Sequence, residues 1–285
     1  NIINIYLELP INMAEATLGC EKDIPTLFGD VTLEIKPGTQ NYTKLKIKGK
    51  GKKLSVNDVS FSVKQGEILC FAGVEGNGQQ EVVKAITGLT KKYSGSIEIN
   101  GKNIKPLNIK KIRNLGLCHI PEDRLRTGCD SQGTIYENLI SLDYDKHTKL
   151  GFIKSRFLKK RCDEQIIKYS IKGTKNNKIS MLSGGNMQKV IVARELESNP
   201  LLIVADQPTR GIDIGAIESI HKEIIKMRNE GKAIVLVSAD LSEVFRLADR
   251  ILVFHEGNIT ASITDPSSID EMELGKYMLG VKTMK

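Results

Sequence analysis

Leu182-Ser183-Gly184-Gly185-Asn186-Met187-Gln188 reads as the start of a helix, and Leu201-Leu202-Ile203-Val204-Ala205-Asp206 follows as an apolar run ending in a carboxylate. A Ser-Gly-Gly turn at a helix start presents bare backbone N–H groups and a hydroxyl at the positive end of the helix dipole, a setting suited to phosphate. Paired glycines let the backbone approach a ligand closely, at a cost in order that a purely structural helix start does not require. Taken alone, such a turn is an ordinary N-cap, since serine is favoured there. Its neighbours along the chain decide the reading.

Upstream, Gly73-Val74-Glu75-Gly76-Asn77-Gly78-Gln79-Gln80 follows the strand-like run Glu67–Ala72 and precedes the helix-like run Glu81–Ile86. Strand, glycine loop and helix in that order form the context of a phosphate-cradling P-loop. Leu201–Asp206 reads as a buried parallel strand with its carboxylate at the C-terminal end, where open α/β sheets bind ligands. In this order the motifs resemble the nucleotide-binding domain of an ABC transporter, and Gln207-Pro208-Thr209-Arg210-Gly211-Ile212-Asp213 extends the match through the D-loop. The resemblance runs from about residue 52 to the C-terminal region. It implies an α/β P-loop NTPase fold of ABC type: a mixed, mostly parallel sheet with an antiparallel β-subdomain and a helical subdomain at about 130–195. It also implies ATP and Mg²⁺ as cofactors. Gly73, Gly76, Asn77, Gly78, Gln79, Gln80 and Glu122 would lie at the chain's own nucleotide. Asp206 is the candidate Mg²⁺ ligand, Asp213 the D-loop aspartate, and Leu182, Ser183, Gly184, Gly185 and Asn186 the signature that faces a partner's ATP.

Departures from the family pattern fall on the chemistry. A working P-loop ends Gly-Lys-Ser/Thr, with Lys on the β/γ-phosphates and the hydroxyl on Mg²⁺. Gln79 and Gln80 occupy those positions. Gln207 replaces the carboxylate that orients the attacking water, and an amide cannot take up its proton. The switch histidine position falls at Ala239, and the Q-loop glutamine at Glu122 in His119-Ile120-Pro121-Glu122-Asp123-Arg124. The chain's own site therefore reads as hydrolytically dead, while the signature and Asp206 are intact. Domains of this family pair head to tail, each nucleotide lying between one P-loop and the other domain's signature. The resemblance thus implies a chain that completes a partner's site.

Val74–Gln79, Pro121–Arg124, LSGGN in place of LSGGQ, and Ala205–Asp213 followed by Gly215–His221 are similar to the second half of nucleoside-importer ATPases, with simple-sugar importers the near alternative. Implied partners are the first nucleotide-binding half, permease subunits in the membrane and, indirectly, an extracellular substrate-binding lipoprotein. The implied location is the cytoplasmic face of a bacterial membrane. Glu122–Gly128 is the candidate groove for a permease coupling helix. Two other functions compete: a regulatory ABC domain with no transport role, and a chaperone fragment.

The chaperone alternative rests on residues 1–51. Ile5–Gly19, Asp23–Ile35, Pro37-Gly38-Thr39-Gln40 and Leu45–Gly51 resemble part of the C-terminal domain of a DnaJ-type co-chaperone, giving a short all-β fragment ahead of an ABC domain at 52–285. Period-two runs at Val31–Ile35 and Lys44–Ile47 support short antiparallel strands. The junction reads as a splice of two unrelated genes, and an initial Asn in place of Met as a truncated reading frame. Half of a β domain is short for a secure core, and the unfolded-peptide reading attaches to it.

Bulk properties narrow the classes. No apolar run reaches membrane-spanning length, and no secretory signal is visible, so a cytosolic chain is expected. Five scattered cysteines show no metal spacing, and Cys70 and Cys118 sit in apolar runs as reduced core residues. The net charge of +8 is dispersed, aromatic content is 5%, and no nucleic-acid motif accompanies it, so no nucleic-acid partner is expected. Ser94–Gly101 reads as a hairpin strand ending in an Asn-Gly turn. Residues 134–180 carry helical periodicity, Lys232–Ser238 and Arg250–Phe254 complete the sheet around a helix at 213–229, and His221 in that helix reads as a structural surface histidine.

Overall fold

The computed structural model describes residues 20–26, 29–35, 37, 56–142, 144–149, 152–153 and 155–284. The chain divides into two compact units, Asn1–Lys53 and Leu54–Lys285. In the first, β1 (Cys20–Thr26) and β2 (Gly29–Ile35) pair antiparallel over their full lengths, from Cys20 opposite Ile35 to Thr26 opposite Gly29. The alternation of Val31–Ile35 is thus a strand, whereas Ile5–Gly19 and Lys44–Ile47 lie outside the described residues.

The second unit is built on a six-stranded sheet. Its strands are β3 (Ile68–Ala72), β6 (Leu117–Ile120), β9 (Leu202–Asp206), β10 (Ala233–Ser238), β11 (Arg250–His255) and β12 (Asn258–Ile263), in the order β12-β11-β3-β10-β9-β6. Only the β11–β12 pair is antiparallel. A parallel sheet covered on both faces needs strands apolar throughout, and Ile68-Leu-Cys-Phe-Ala72 is buried at every position. Leu69 and Phe71 enter one core with Val204, Val235 and Phe254, and Ile68, Cys70 and Ala72 enter the other with Ile203, Ala205 and Ile234. Phe71 stacks edge-on against Phe61 at 5.0 Å and tilted against Phe254 at 4.9 Å, the better-attracting geometries for aromatic quadrupoles.

Helix α1 (Gln79–Ile86) and α2 (Ile109–Asn114) cover the Phe71 face through Val82, Val83, Ile86 and Ile112. Between them, β4 (Glu98–Ile99) and β5 (Lys102–Asn103) form the expected hairpin. Asn100 and Gly101 take φ of +52° and +70°, the left-handed pair that an Asn-Gly turn supplies at low cost. Among the described residues this hairpin, the β11–β12 pair and a short pair, β7 (Thr148–Lys149) with β8 (Phe152–Ile153), make up the antiparallel part of the unit.

The opposite face carries α3 (Ile135–Ile140), α4 (Ser155–Lys168), α5 (Gly184–Leu196), α6 (Ile214–Asn229), α7 (Leu241–Leu247) and α8 (Glu271–Met278). Thr134 and Glu137 start α3 with a reciprocal capping box, and Asp213 caps α6 by accepting from the Ala216 N–H at 2.9 Å. Before α3, Arg124–Gly128 forms a π-helical turn whose first amides donate to Asp123, at 3.1 Å from Leu125 and 3.0 Å from Arg126. Gly128 lets α5 pack beside this turn: a Cβ there would stand 2.8 Å from Ile191 Cδ1. The five cysteines are free, with Cys70 and Cys118 buried as strand residues. No helix of the described residues is long and apolar enough to cross a membrane.

Candidate functional site

The glycine loop leaves the end of β3 and enters α1, so it sits at the carboxyl edge of the parallel sheet beside Asp206, the last residue of β9. Gly76 and Gly78 take φ of +93° and +107°, conformations that L side chains resist. A Cβ on Gly76 would meet nothing within 4 Å, so this glycine borders open space, whereas a Cβ on Gly73 would lie 2.4 Å from Gln79 Nε2.

The two glutamines at the loop's end behave differently. Gln79 is buried, and its Nε2 turns back to the Val74 carbonyl at 3.4 Å. Gln80 reaches across the site. Its Nε2 donates to both Asp206 carboxylate oxygens at 2.9 Å and to Glu122 Oε2 at 2.8 Å. Glu122 also pairs with Arg210, whose guanidinium reaches Glu75 of the glycine loop at 3.1 Å. Arg124 in turn donates to the Arg210 carbonyl at 2.6 Å, so the 122–124 and 210–211 segments hold each other. Burial pushes the Asp206 carboxyl up to about 6; the Gln80 hydrogen bonds and Lys84 work against the rise, and Glu75 adds to it.

The glycine loop has the strand-to-helix setting of a phosphate site; Mg²⁺ does not fit the place expected for it at Asp206. Mg²⁺ requires near-octahedral oxygen ligands at 2.0–2.1 Å and keeps several waters. Here an N–H donor lies within hydrogen-bond distance of all three carboxylate oxygens that would surround such an ion. The expectation that Asp206 is this site's metal ligand therefore meets a side chain longer than the hydroxyl it replaces. Among the described residues no group of three or more His, Cys, Asp or Glu side chains has metal-binding geometry.

The signature turn is formed as its sequence foretold. Ser183 caps α5, accepting from the Asn186 backbone N–H at 3.4 Å and its side-chain amide at 2.9 Å. Asn186 Oδ1 accepts from the Lys172 N–H at 2.8 Å, which ties the turn to the segment before it. Ser183 itself stays exposed. Gly185 packs against the start of α6, where a Cβ would lie 2.7 Å from the Ala216 Cβ and 2.5 Å from Asp213 Oδ2. Of the signature residues Leu182, Ser183, Gly184, Gly185 and Asn186, Gly185 adjoins Asp213, while Gln80, Glu122 and Asp206 form the separate hydrogen-bonded group.

Gln207 has φ of +48°, and its N–H donates to the Val237 carbonyl at 2.9 Å. Ala239 is exposed between β10 and α7 and offers no polar side chain. His221 is a correction: it is buried, not a surface residue, and its Nε2 lies 2.8 Å from Glu243 Oε1. The same oxygen accepts from Thr209 Oγ1 at 2.8 Å, so α6, α7 and the segment after Asp206 meet at one carboxylate. His221 shares a helical face with Ile220, Ile224 and Met227, and that periodicity places it inward. The roles of Arg210, Glu75 and Glu243 escape sequence reasoning because their partners lie far along the chain.

A sequence profile described as ABC transporter matches residues 56–210. A second, described as DnaJ C terminal domain, matches residues 2–70. Residues 56–70, common to both, belong to the Leu54–Lys285 unit and run into β3. The nucleoside import ATP-binding protein NupA of Lactococcus lactis is 42% identical over 254 residues, covering 88% of this chain and 49% of that protein. The guanosine import ATP-binding protein NupO of Bacillus subtilis is 44% identical over 229 residues, covering 79% and 45%. The chain spans about half the length of the curated relatives it matches. Among solved structures, a dimeric ATP-binding cassette in a post-hydrolysis state bound to ADP and Pi aligns with a TM-score of 0.64 at 25% identity, over 78% of this chain and 96% of that one. Another cassette aligns at 0.68 and 21% identity, over 82% and 94%, a likeness of fold. The first profile takes in more than half of the chain, and the parallel sheet with its glycine loop has the matching architecture: this chain belongs to the ABC transporter family.

Proposed function

We propose that this chain is the degenerate nucleotide-binding half of an importer ATPase, acting through its signature turn on a partner's ATP. The observation that carries the reading is the Gln80 amide. It fills the space between Asp206 and Glu122, while the turn at Ser183–Asn186 is capped and leaves Ser183 exposed. Phosphoryl transfer depends on positioning and charge stabilisation, so a half that contributes donors to a neighbouring γ-phosphate is useful without a catalytic base of its own. Ser183, Gly184 and Gly185 present those donors. Gln207 and Ala239, at the positions of the carboxylate and the histidine, remove the two groups the family uses there, and Asp206 and Glu122 are engaged by Gln80.

The cargo class we propose is nucleosides, with simple sugars the alternative, following the relatives' printed activities. The partners are the first nucleotide-binding half and a membrane permease, which place the chain at the cytoplasmic face. The permease's coupling segment docks beside Glu122–Gly128, where the π-turn exposes Leu125. Residues 1–51 are proposed as a fragment of a DnaJ-type C-terminal domain, consistent with the β1–β2 hairpin. In the test, ATP turnover is measured for the full chain, for the part of NupO that this chain does not match, and for their mixture. Turnover in the mixture and none from this chain alone is the expected result. Turnover by this chain alone would overturn the dead-site reading.

A further inference from the structure

We infer that this chain's own P-loop takes its nucleotide without Mg²⁺, the Gln80 amide standing in the metal's place. The inference rests on the reading above that the glycine loop is a nucleotide site, and it adds which form of the nucleotide enters. In a metal-bearing site the residue at Gln80's position offers a hydroxyl oxygen, and the strand carboxylate faces the ion. Gln80 is longer by a methylene and an amide, and its nitrogen contacts all three carboxylate oxygens of Asp206 and Glu122 that face it. An N–H can donate to those oxygens but cannot ligate a cation. Turned over, the amide would set its carbonyl oxygen against the same three oxygens, so the donor orientation is favoured.

The other carboxylate oxygens beside the loop are also engaged. Glu122 Oε1 and Glu75 both pair with Arg210, so each carboxylate around the loop already has an N–H partner or a guanidinium. For Mg²⁺ with its waters to enter, the Gln80 amide would have to leave three acceptors at once. Gly76 of the loop borders open space. The loop offers backbone N–H groups at the start of α1, where Lys84 of the same helix also acts on Asp206.

The test uses the full chain and fluorescent mant-ATP, titrated in EDTA and again in excess Mg²⁺, with Mn²⁺ alone followed by EPR in parallel. Affinities that agree within about twofold, with no bound Mn²⁺, are expected. The Gln80→Ser variant, which restores a hydroxyl and vacates the space, should bind mant-ATP more than about tenfold tighter with Mg²⁺ than without. Wild-type binding that requires Mg²⁺, or Mn²⁺ held by the wild-type chain, would overturn the inference whatever the variant does. Binding in neither condition overturns it too, and leaves the signature-donor reading to the mixing experiment, which does not depend on occupancy of this loop.

Discussion

Replacing Asp206 by asparagine should change how the stability of the Leu54–Lys285 unit depends on pH. Asp206 is 2% exposed, and burial lifts its carboxyl from 3.8 to about 6. A raised acid binds its proton more tightly in the folded state. Its stabilising contribution is full below the unfolded value and is lost as pH rises through the folded one. About two units at 1.36 kcal/mol each give a loss of roughly 3 kcal/mol between about pH 4 and pH 7. In the wild-type chain this loss is masked by His119, whose imidazole burial depresses from 6.5 to about 4 and which therefore gains stability over much the same range. The difference between Asp206→Asn and wild type isolates the carboxylate. Asparagine keeps one oxygen for Gln80, so the fixed hydrogen-bond cost is the same at both pH values and cancels. Urea unfolding followed by far-UV circular dichroism should show the variant gaining on wild type by roughly 3 kcal/mol on going from about pH 4 to pH 7. A difference that does not move with pH would refute the assignment of a buried, cation-free carboxylate.

Other substitutions test other parts of the account. His119→Gln should remove the acid-side loss of stability as pH falls from about 6.5 to 4, worth up to roughly 3 kcal/mol, read from the same unfolding curves. Gly185→Ala forces a methyl against Ala216 and Asp213. The expected cost is about 1–3 kcal/mol, seen as a lower thermal midpoint, together with loss of turnover in the two-part mixture. Phe71→Ala removes a fully buried ring between Phe61 and Phe254 and should cost about 3–5 kcal/mol in urea unfolding.

Local chemistry made much of the fold legible. Contiguous apolar runs at Ile68–Ala72, Leu202–Asp206, Ala233–Ser238 and Arg250–Phe254 give four of the five parallel strands, because a strand covered on both faces has no polar side to show. Asn100-Gly101 announced its own turn, and Ser183 its own cap. Legibility ended where distant segments meet. Gln80 and Asp206 lie 126 residues apart, and no local pattern says that one amide spans to two carboxylates. Arg210 read as part of a motif, yet its pairing with Glu75 and Glu122 follows only from how β3, β6 and β9 align their ends. His221 could have been placed correctly from its spacing to Ile220, Ile224 and Met227, since the polar side chain lies on the apolar stripe and is satisfied there by Glu243.

In the proposed function this chain works through Ser183 on a nucleotide held by another half. The direct measurement is phosphate release from the mixture of this chain with the unmatched part of NupO, comparing wild type with Ser183→Arg. Ser183 is exposed at the cap of α5, so the variant places a long cation at the proposed interface and leaves the buried core alone. Release should fall to the level of the separate components, while the variant stays folded with its unfolding midpoint lowered only by the lost α5 cap, worth about 0.5–2 kcal/mol. Undiminished release with arginine at this position would contradict the account.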